Sequence, residues 1–576
     1  MNVKDLYIKQ IKQISENDHQ INIFELNTFI QKNRQPILDL LNDKKVFNKT
    51  LNLVNSLIND KRYYLQVIYL ELFSSKLSQN YELKYRLGIA FFEIKQFKQA
   101  VFHLDKIPIE NRSIDHLRLY LNIYYQSQDF KKSIETVNKI RAKHKIDAVN
   151  TVILIDSYRR LKKISDAENE LINLDKANVD QYRKFHIKIQ IKLAKNMFDK
   201  SLENLENSYG KYKDKVEFLE LYSIVLRKVG RIKDALFQLN LAKNLGYREY
   251  DSLSYPLHLS QKSYNEGFYH LSKATEIFGV ENYFKSKNIP KWKGENLESK
   301  ILIIYSGDGV ALGDQIFFFR YILWAKKKFK NIELFFFNNN LKYKYLFDRN
   351  GITIDQINNL PGYSFDKSTL AYHHSLSALA GIYCKMESNG IVNHVKYLPT
   401  SARKEEFWIN HLYNYGEKKK VGLNWKGDIK YKLDIYRSID LEMLDPFFQI
   451  DNFYFSLNPN LSESELVLNE RYKNFIIFSE KEFIDEKKDT FIDTIEIMKK
   501  LDLIVTTDTS IAHLSTALGL KTILMLEYAA FWYWDTAEKD NYYQNENLKI
   551  FKQASPGNWG SVIDCVRDYL IEFKKS

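Results

Sequence analysis

The stretch LDLIVTTDTSIAHLSTALGLKTILML, Leu501 to Leu526, is a short apolar run, a polar turn, a helical segment and a second apolar run. Two such runs joined through a helix predict parallel strands buried on both faces. The first run ends in Asp508-Thr509-Ser510, and His513 follows one helical turn on. Asp, Thr and Ser are ordinary helix caps, and a lone histidine is usually a satisfied helix residue. The same residues also suit an anionic ligand, because the first N–H groups of a helix lack internal partners and its dipole is positive there. Local residues leave both readings open.

Working upstream, the alternation of strand and helix continues. ILIIYSG (Ile301–Gly307) reads as a buried strand, the turn GDGVALGD leads into the helix QIFFFRYILWAKKKF, and IELFFF forms a second strand. VGLNW, FYFSL and FIIFS follow as strands, with FIDTIEIMKKL as a helix. This pattern predicts parallel sheets with right-handed crossovers. The polar segment Ser401–Lys420 divides it into two Rossmann-like units, 301–400 and 401–576. Open α/β sheets bind ligands at the carboxyl ends of their strands, so the site is expected in the cleft between the two. Residues 284–300, polar and containing Pro and Gly, read as a linker.

Before the linker the chain reads as amphipathic helix with a period. Small residues recur at Ala100, Ser133, Ala167, Ser201 and Ala235, spaced by 33, 34, 34 and 34 positions. A large apolar residue stands three places before each (Phe97, Phe130, Ile164, Phe198, Ile232), and another four places after (Leu104, Val137, Leu171, Leu205, Leu239). A degenerate sixth copy falls at Tyr264, Gly267 and Leu271. This period resembles the tetratricopeptide repeat, over 83–283. Residues 1–82 are helical without a readable register, as divergent repeats or a cap. A stacked array of this kind presents a face to a peptide or protein; the alternative is a scaffold or dimerisation device, so a homo-oligomer is also among the expectations.

The bulk composition agrees. A chain of 576 residues is too long for one core. The net charge of +13 is spread over that length without a basic block, which speaks against a nucleic-acid partner and permits an anionic ligand. The two cysteines, Cys384 and Cys565, form no zinc or disulfide pattern, favouring a reducing compartment. No apolar run reaches the length of a membrane span, and the N-terminus lacks a signal-peptide core, so a soluble, cytoplasmic protein is expected.

Other chemistry-bearing residues are few. Lys426 and Arg437, in GLNWKGDIKYKLDIYRSI, follow another strand end of the second unit and are candidate partners for a diphosphate. A helix end contributes only about 0.3–1 kcal/mol to an exposed charge, against roughly 1.5–3 for a charged hydrogen bond, so such cations are needed. Asp314, at a helix start in the first unit, is either a cap or a general base facing the cleft. Gly313, Trp425, His373 and His374 are further candidates for lining that cleft. No cluster of ligating residues suggests a metal.

The second half, roughly 300–576, resembles the heptosyltransferase-like glycosyltransferases of the GT-B fold, in particular the bacterial proteins that fuse tetratricopeptide repeats to such a domain. The matching pieces are GDGVALGD, GLNWKG…RSI, DTFIDTIEIMKKLDLIVTTDTSIAHLSTALG and FKQASPGNWGSVIDCV. The resemblance implies an all-α repeat array followed by an α/β GT-B module. Its activity would be inverting, metal-independent transfer of a sugar from a nucleotide-sugar donor, with no other cofactor. Asp314 aligns with the family's catalytic base. Asp508, Thr509, Ser510 and His513 align with the donor loop, with Lys426 and Arg437 on the diphosphate. Ser510 stands where many members have glycine, and the first unit is short, which leaves part of acceptor recognition to the repeats. Repeat-fused transferases modify Ser, Thr or Asn of proteins, flagellins among them. A protein acceptor is therefore the leading expectation; the alternatives are a saccharide or lipopolysaccharide-core acceptor, or an inactive repeat scaffold.

Overall fold

The computed structural model describes residues 3–15, 23–76, 80–307, 310–338, 344, 347, 350–362, 370–387, 391–392, 398, 405–428, 431, 433–458, 461–478, 491–534 and 546–575. They divide into two compact units, Met1–Ile187 and Lys188–Ser576. The division falls inside the repeat array, so the later repeats group with the α/β part.

The first unit is helical. Tyr81–Glu93 pairs with Phe97–Asp105, and Ile114–Gln126 with Phe130–Arg141. The small residues Ala100, Ser133 and Ala167 are fully buried, as close helix crossing requires. Upstream helices Val3–Ser15, Lys44–Asn59 and Tyr63–Lys76 share one core with the first pair through Tyr7, Leu53, Tyr69 and Leu104. The third pair departs from the expected register. Its second helix breaks into Ile164–Asn169 and Ile172–Lys176. Tight i→i+3 bonds, from Leu171 N to Glu168 O and Leu174 N to Leu171 O, rotate the face there. Leu174 is buried in consequence, and Leu171 only partly so.

The second unit begins with helix pairs that include Val216–Lys228 with Ile232–Asn244 and Tyr250–Ser260 with Tyr264–Ala274. Two parallel sheets follow. The first contains β1 (Ile301–Tyr305), β2 (Glu333–Asn338), β3 (Thr353–Gln356) and β4 (Ala371–Ser375) in the order β3-β2-β1-β4. The second contains β5 (Lys420–Asn424), β6 (Phe453–Ser456), β7 (Phe475–Ile476), β8 (Leu503–Thr507), β9 (Thr522–Leu526) and β10 (Leu548–Lys552), ordered β10-β9-β8-β5-β6-β7. β3, β4 and β10 were not anticipated; they are short and mix polar with apolar residues, so no continuous apolar run marks them. The winding reverses between β1 and β4 in one sheet and between β5 and β8 in the other, where such sheets open a crevice.

The segment read as a linker is packed in place. Trp292 and Leu297 are fully buried, and Trp292 N donates to the His373 carbonyl at 2.9 Å. The last repeat also shares a core with the α/β part: Leu259, Phe268 and Leu271 join Phe317, Leu379 and Trp532. Among the described residues no helix is long and apolar enough to cross a membrane.

Gly267 permits the close crossing of the last helix pair, because a Cβ there would lie 2.5 Å from the side chain of fully buried Leu259. Gly267→Ala is expected to destabilise the second unit by about 1–3 kcal/mol in chemical denaturation, overpacking outweighing the better helix propensity of alanine.

Candidate active site

The carboxyl ends of β5 and β8 converge on the start of helix Ser510–Ala517. Thr509 is the N-cap in extended conformation, yet its side chain makes no cap bond. Its hydroxyl instead accepts from Asn424 Nδ2 at the end of β5 (2.8 Å). Asp508 does not cap either: its carboxylate accepts from Trp534 Nε1 (2.8 Å) and lies 3.9 Å from His513 Nε2. The amides of Ser510 and Ile511 find no acceptor among the described residues, so the positive end of this helix is left to a ligand or to water.

Arg437 reaches the same point. Its Nη1 donates to the Asp508 carbonyl (2.7 Å) and its Nε to Asp434 (3.0 Å), and the guanidinium lies over the Tyr431 ring. Lys426 is engaged elsewhere, in an ion pair with Glu465, which also accepts from Trp425 Nε1 at 2.8 Å. Trp425 is thus a buried core residue of the second sheet, not part of a cleft wall.

From the first sheet comes helix Leu312–Lys328, which follows β1. Asp314 caps it with one oxygen, accepting from Ala311 N (3.1 Å), and with the other accepts from Tyr533 OH (3.2 Å). The two helix starts meet directly: a Cβ at Gly313 would sit 2.6 Å from His513 Cδ2. A small void of about 20 Å³, lined by Asp314, Tyr255, Thr275, Phe318, Phe531 and Trp532 among others, adjoins this contact.

Burial sets the protonation. Desolvation raises the Asp314 carboxyl to about 6, opposed by its hydrogen bonds from Ala311 and Tyr533. Asp508 is raised by burial too, against the pull of Arg437. His513, enclosed between Tyr533 and Trp534 at ring distances of 4.8 Å, is held well below its usual range by desolvation and is neutral.

The structure therefore brings together Gly313, Asp314, Arg437, Asp508, Thr509, Ser510 and His513. It does not bring His373 or His374 to them. Both lie within β4, whose two faces are covered: His373 stacks on Phe284 (4.1 Å, 11°), and His374 Nδ1 accepts from Ser375 N. Burial lowers them to about 4 and about 3. Four contributors were not among the site residues named from the sequence, although Asn424 lies within GLNWKG and the aromatic run after β9 reads as either pocket lining or ordinary packing. Tyr533 and Trp534, in an aromatic run after β9, bind the two carboxylates directly. Asn424 ends β5. Lys228, on a repeat helix, is buried in an ion pair with Glu527 and lies over the Tyr436 ring at 4.3 Å.

No protein-family model matches the chain, and no curated protein does. Among solved structures it is similar to a tetratricopeptide repeat protein from Parabacteroides merdae, at 12% identity over 44% of this chain and 96% of that one (TM-score 0.32). It is similar to the E. coli ADP-heptose LPS heptosyltransferase II at 10% identity over 48% and 100% (TM-score 0.34). A mutant O-GlcNAc transferase from Thermobaculum terrenum matches at 9% identity over 75% and 94% (TM-score 0.25). Similarity at this level carries no argument by itself. The layout, helical repeats followed by an α/β part with parallel sheets, rests on the structure of this chain.

Asp314 binds its proton more tightly in the folded chain than at its ordinary value of 3.8. The folded state consequently loses stability as pH rises from about 4 to about 6. Asp314→Asn removes that loss. Its melting temperature is expected to match the wild type near pH 4 and to exceed it by pH 7, measured by calorimetry across that range.

Proposed function

We propose that the chain is a GT-B glycosyltransferase that moves a sugar from a nucleotide-sugar donor to a side chain of a polypeptide acceptor. One observation carries the reading: two helix-start amides that find no acceptor among the described residues lie beside the half-buried Arg437 guanidinium in the second sheet and face a half-buried carboxylate, Asp314, from the first. The amides and the guanidinium suit a diphosphate, whose charge grows as it leaves. Asp314, held near neutrality, suits the removal of a proton from an attacking hydroxyl or amide.

In the transfer, the acceptor heteroatom takes the position on Asp314 that Tyr533 OH now holds and gives up its proton there. It attacks the anomeric carbon from the side opposite the diphosphate. The new glycosidic bond forms as the bond to the diphosphate oxygen breaks, which inverts the configuration. The leaving charge falls on Arg437 and the Ser510–Ile511 amides, which supply the stabilisation a metal would otherwise give. His513, neutral and packed on Tyr533 and Trp534, positions the two aromatics that meet the carboxylates. Repeat residues Tyr255, Leu271 and Thr275 line the void at Asp314, which supports an acceptor held partly by the array.

The test is a thermal-shift series with nucleoside diphosphates and their sugars, followed by product mass measurement with the active donor. One nucleotide is expected to stabilise the wild type, by about 2.7 kcal/mol at a hundredfold excess over its Kd. Arg437→Gln should lose that shift. Asp314→Asn should keep it while losing about 100-fold or more in kcat, and wild-type kcat/KM should fall as pH drops below about 6. Absence of a shift with every nucleotide, or full turnover by Asp314→Asn, would sink the reading.

A further inference from the structure

A second cavity, of about 250 Å³, lies between the repeats and the carboxyl ends of β9 and β10. Arg227, Gly230 and Ser260 line it from the repeats, and Tyr528, Ala530 and Lys552 from the sheet. Its charge is one-sided. Among the described residues two cations, Arg227 and Lys552, line it and no acid does, the neighbouring Glu527 being taken by Lys228. Arg227 is half-buried and forms no ion pair among the described residues; its guanidinium lies 5.6 Å from the Phe531 ring. A planar guanidinium in such a setting matches a carboxylate fork to fork.

Size narrows the occupant. Pockets for whole small molecules run to about 300–1,000 Å³, so this one suits a single side chain better than a nucleotide or a sugar chain. Tyr528, Ala529, Ala530 and Ile232 offer apolar walls to the stem of that side chain.

Position relates the pocket to the first cavity. Phe531 lines the cavity at Asp314 and stacks edge-on to Tyr255 (6.3 Å) there, while its ring also faces Arg227. Helix Tyr250–Ser260 borders both cavities, Tyr255 at the Asp314 side and Ser260 at the basic side. Five helical positions span about 7–8 Å at 1.5 Å per residue. An extended peptide covers that in about two or three residues.

We propose that this pocket receives the carboxylate side chain of an acceptor polypeptide, about two or three residues from the residue presented to Asp314. The assignment rests on the transferase reading above and adds the acceptor's chemistry: an acidic residue beside the modified one. Arg227 is then a specificity-determining residue supplied by the repeats.

The experiment uses the full chain and fluorescein-labelled Ser/Thr-containing peptides carrying Glu, or Gln in its place, two or three positions from the Ser/Thr, read by anisotropy. The Glu peptide is expected to bind the wild type about tenfold tighter, as one charge-assisted bond allows. Arg227→Gln should erase the preference, and Arg227→Lys should keep part of it. The nucleotide-induced thermal shift, measured on the same samples, should be unchanged in both variants. Equal binding of the two peptides, or a preference that survives Arg227→Gln, would overturn the proposal. Saturable binding of inorganic phosphate at Arg227 without a peptide preference would assign the pocket to free anions and overturn it as well. A peptide preference in a wild type that answers to no nucleotide would remove the transferase reading while leaving an acidic-peptide pocket.

Discussion

The second unit turns on two half-buried carboxylates, Asp314 and Asp508, set close across the meeting of two helix starts. Acids largely shielded from water are tolerated only when hydrogen-bonded or neutralised. Here a single aromatic run serves both, Tyr533 donating to one and Trp534 to the other. The absence of a side chain at Gly313 lets the helices approach until His513 fills the gap. Everything that positions the candidate chemistry follows from that contact: Arg437 docks on the Asp508 carbonyl, Asn424 ties Thr509 to β5, and the amides of Ser510 and Ile511 find no acceptor among the described residues.

The repeats are more than an appendage to this arrangement. Phe268 packs edge-on against Trp532 at 6.0 Å, Thr275 hydrogen-bonds Ser377 at 2.8 Å, and Lys228 is buried against Glu527. A lysine at 3% exposure is retained only with a partner, so the helix bearing it is held to the loop after β9. The repeats therefore help wall both cavities. The first sheet, with four strands among the described residues, gains through them a wall it does not build itself.

Much of this was legible beforehand. The spacing of Ala100, Ser133, Ala167, Ser201 and Ala235 announced helix pairs because only a small residue fits where two helices cross. Uninterrupted apolar runs announced β1, β2, β5, β8 and β9, since strands buried on both faces carry little else. Asp508 and Asp314 could be placed at strand-to-helix turns. The roles of Lys426, Trp425, His373 and His374 were not legible. A cation after a strand reads alike whether it faces a ligand or, as Lys426 does, a Glu465 far along the chain. A histidine pair reads alike in a cleft or stacked inside a sheet.

By itself, then, the sequence determined the periodic elements, their succession and the turns that carry Asp314 and Asp508, all of which depend on residues near one another in the chain. Only the tertiary structure decided which side chains meet there: Tyr533 on Asp314, Trp534 on Asp508, Arg437 on the carbonyl and Lys228 on Glu527. Those pairings join distant segments, and strand order, crossovers and close packing choose them, which no local propensity encodes.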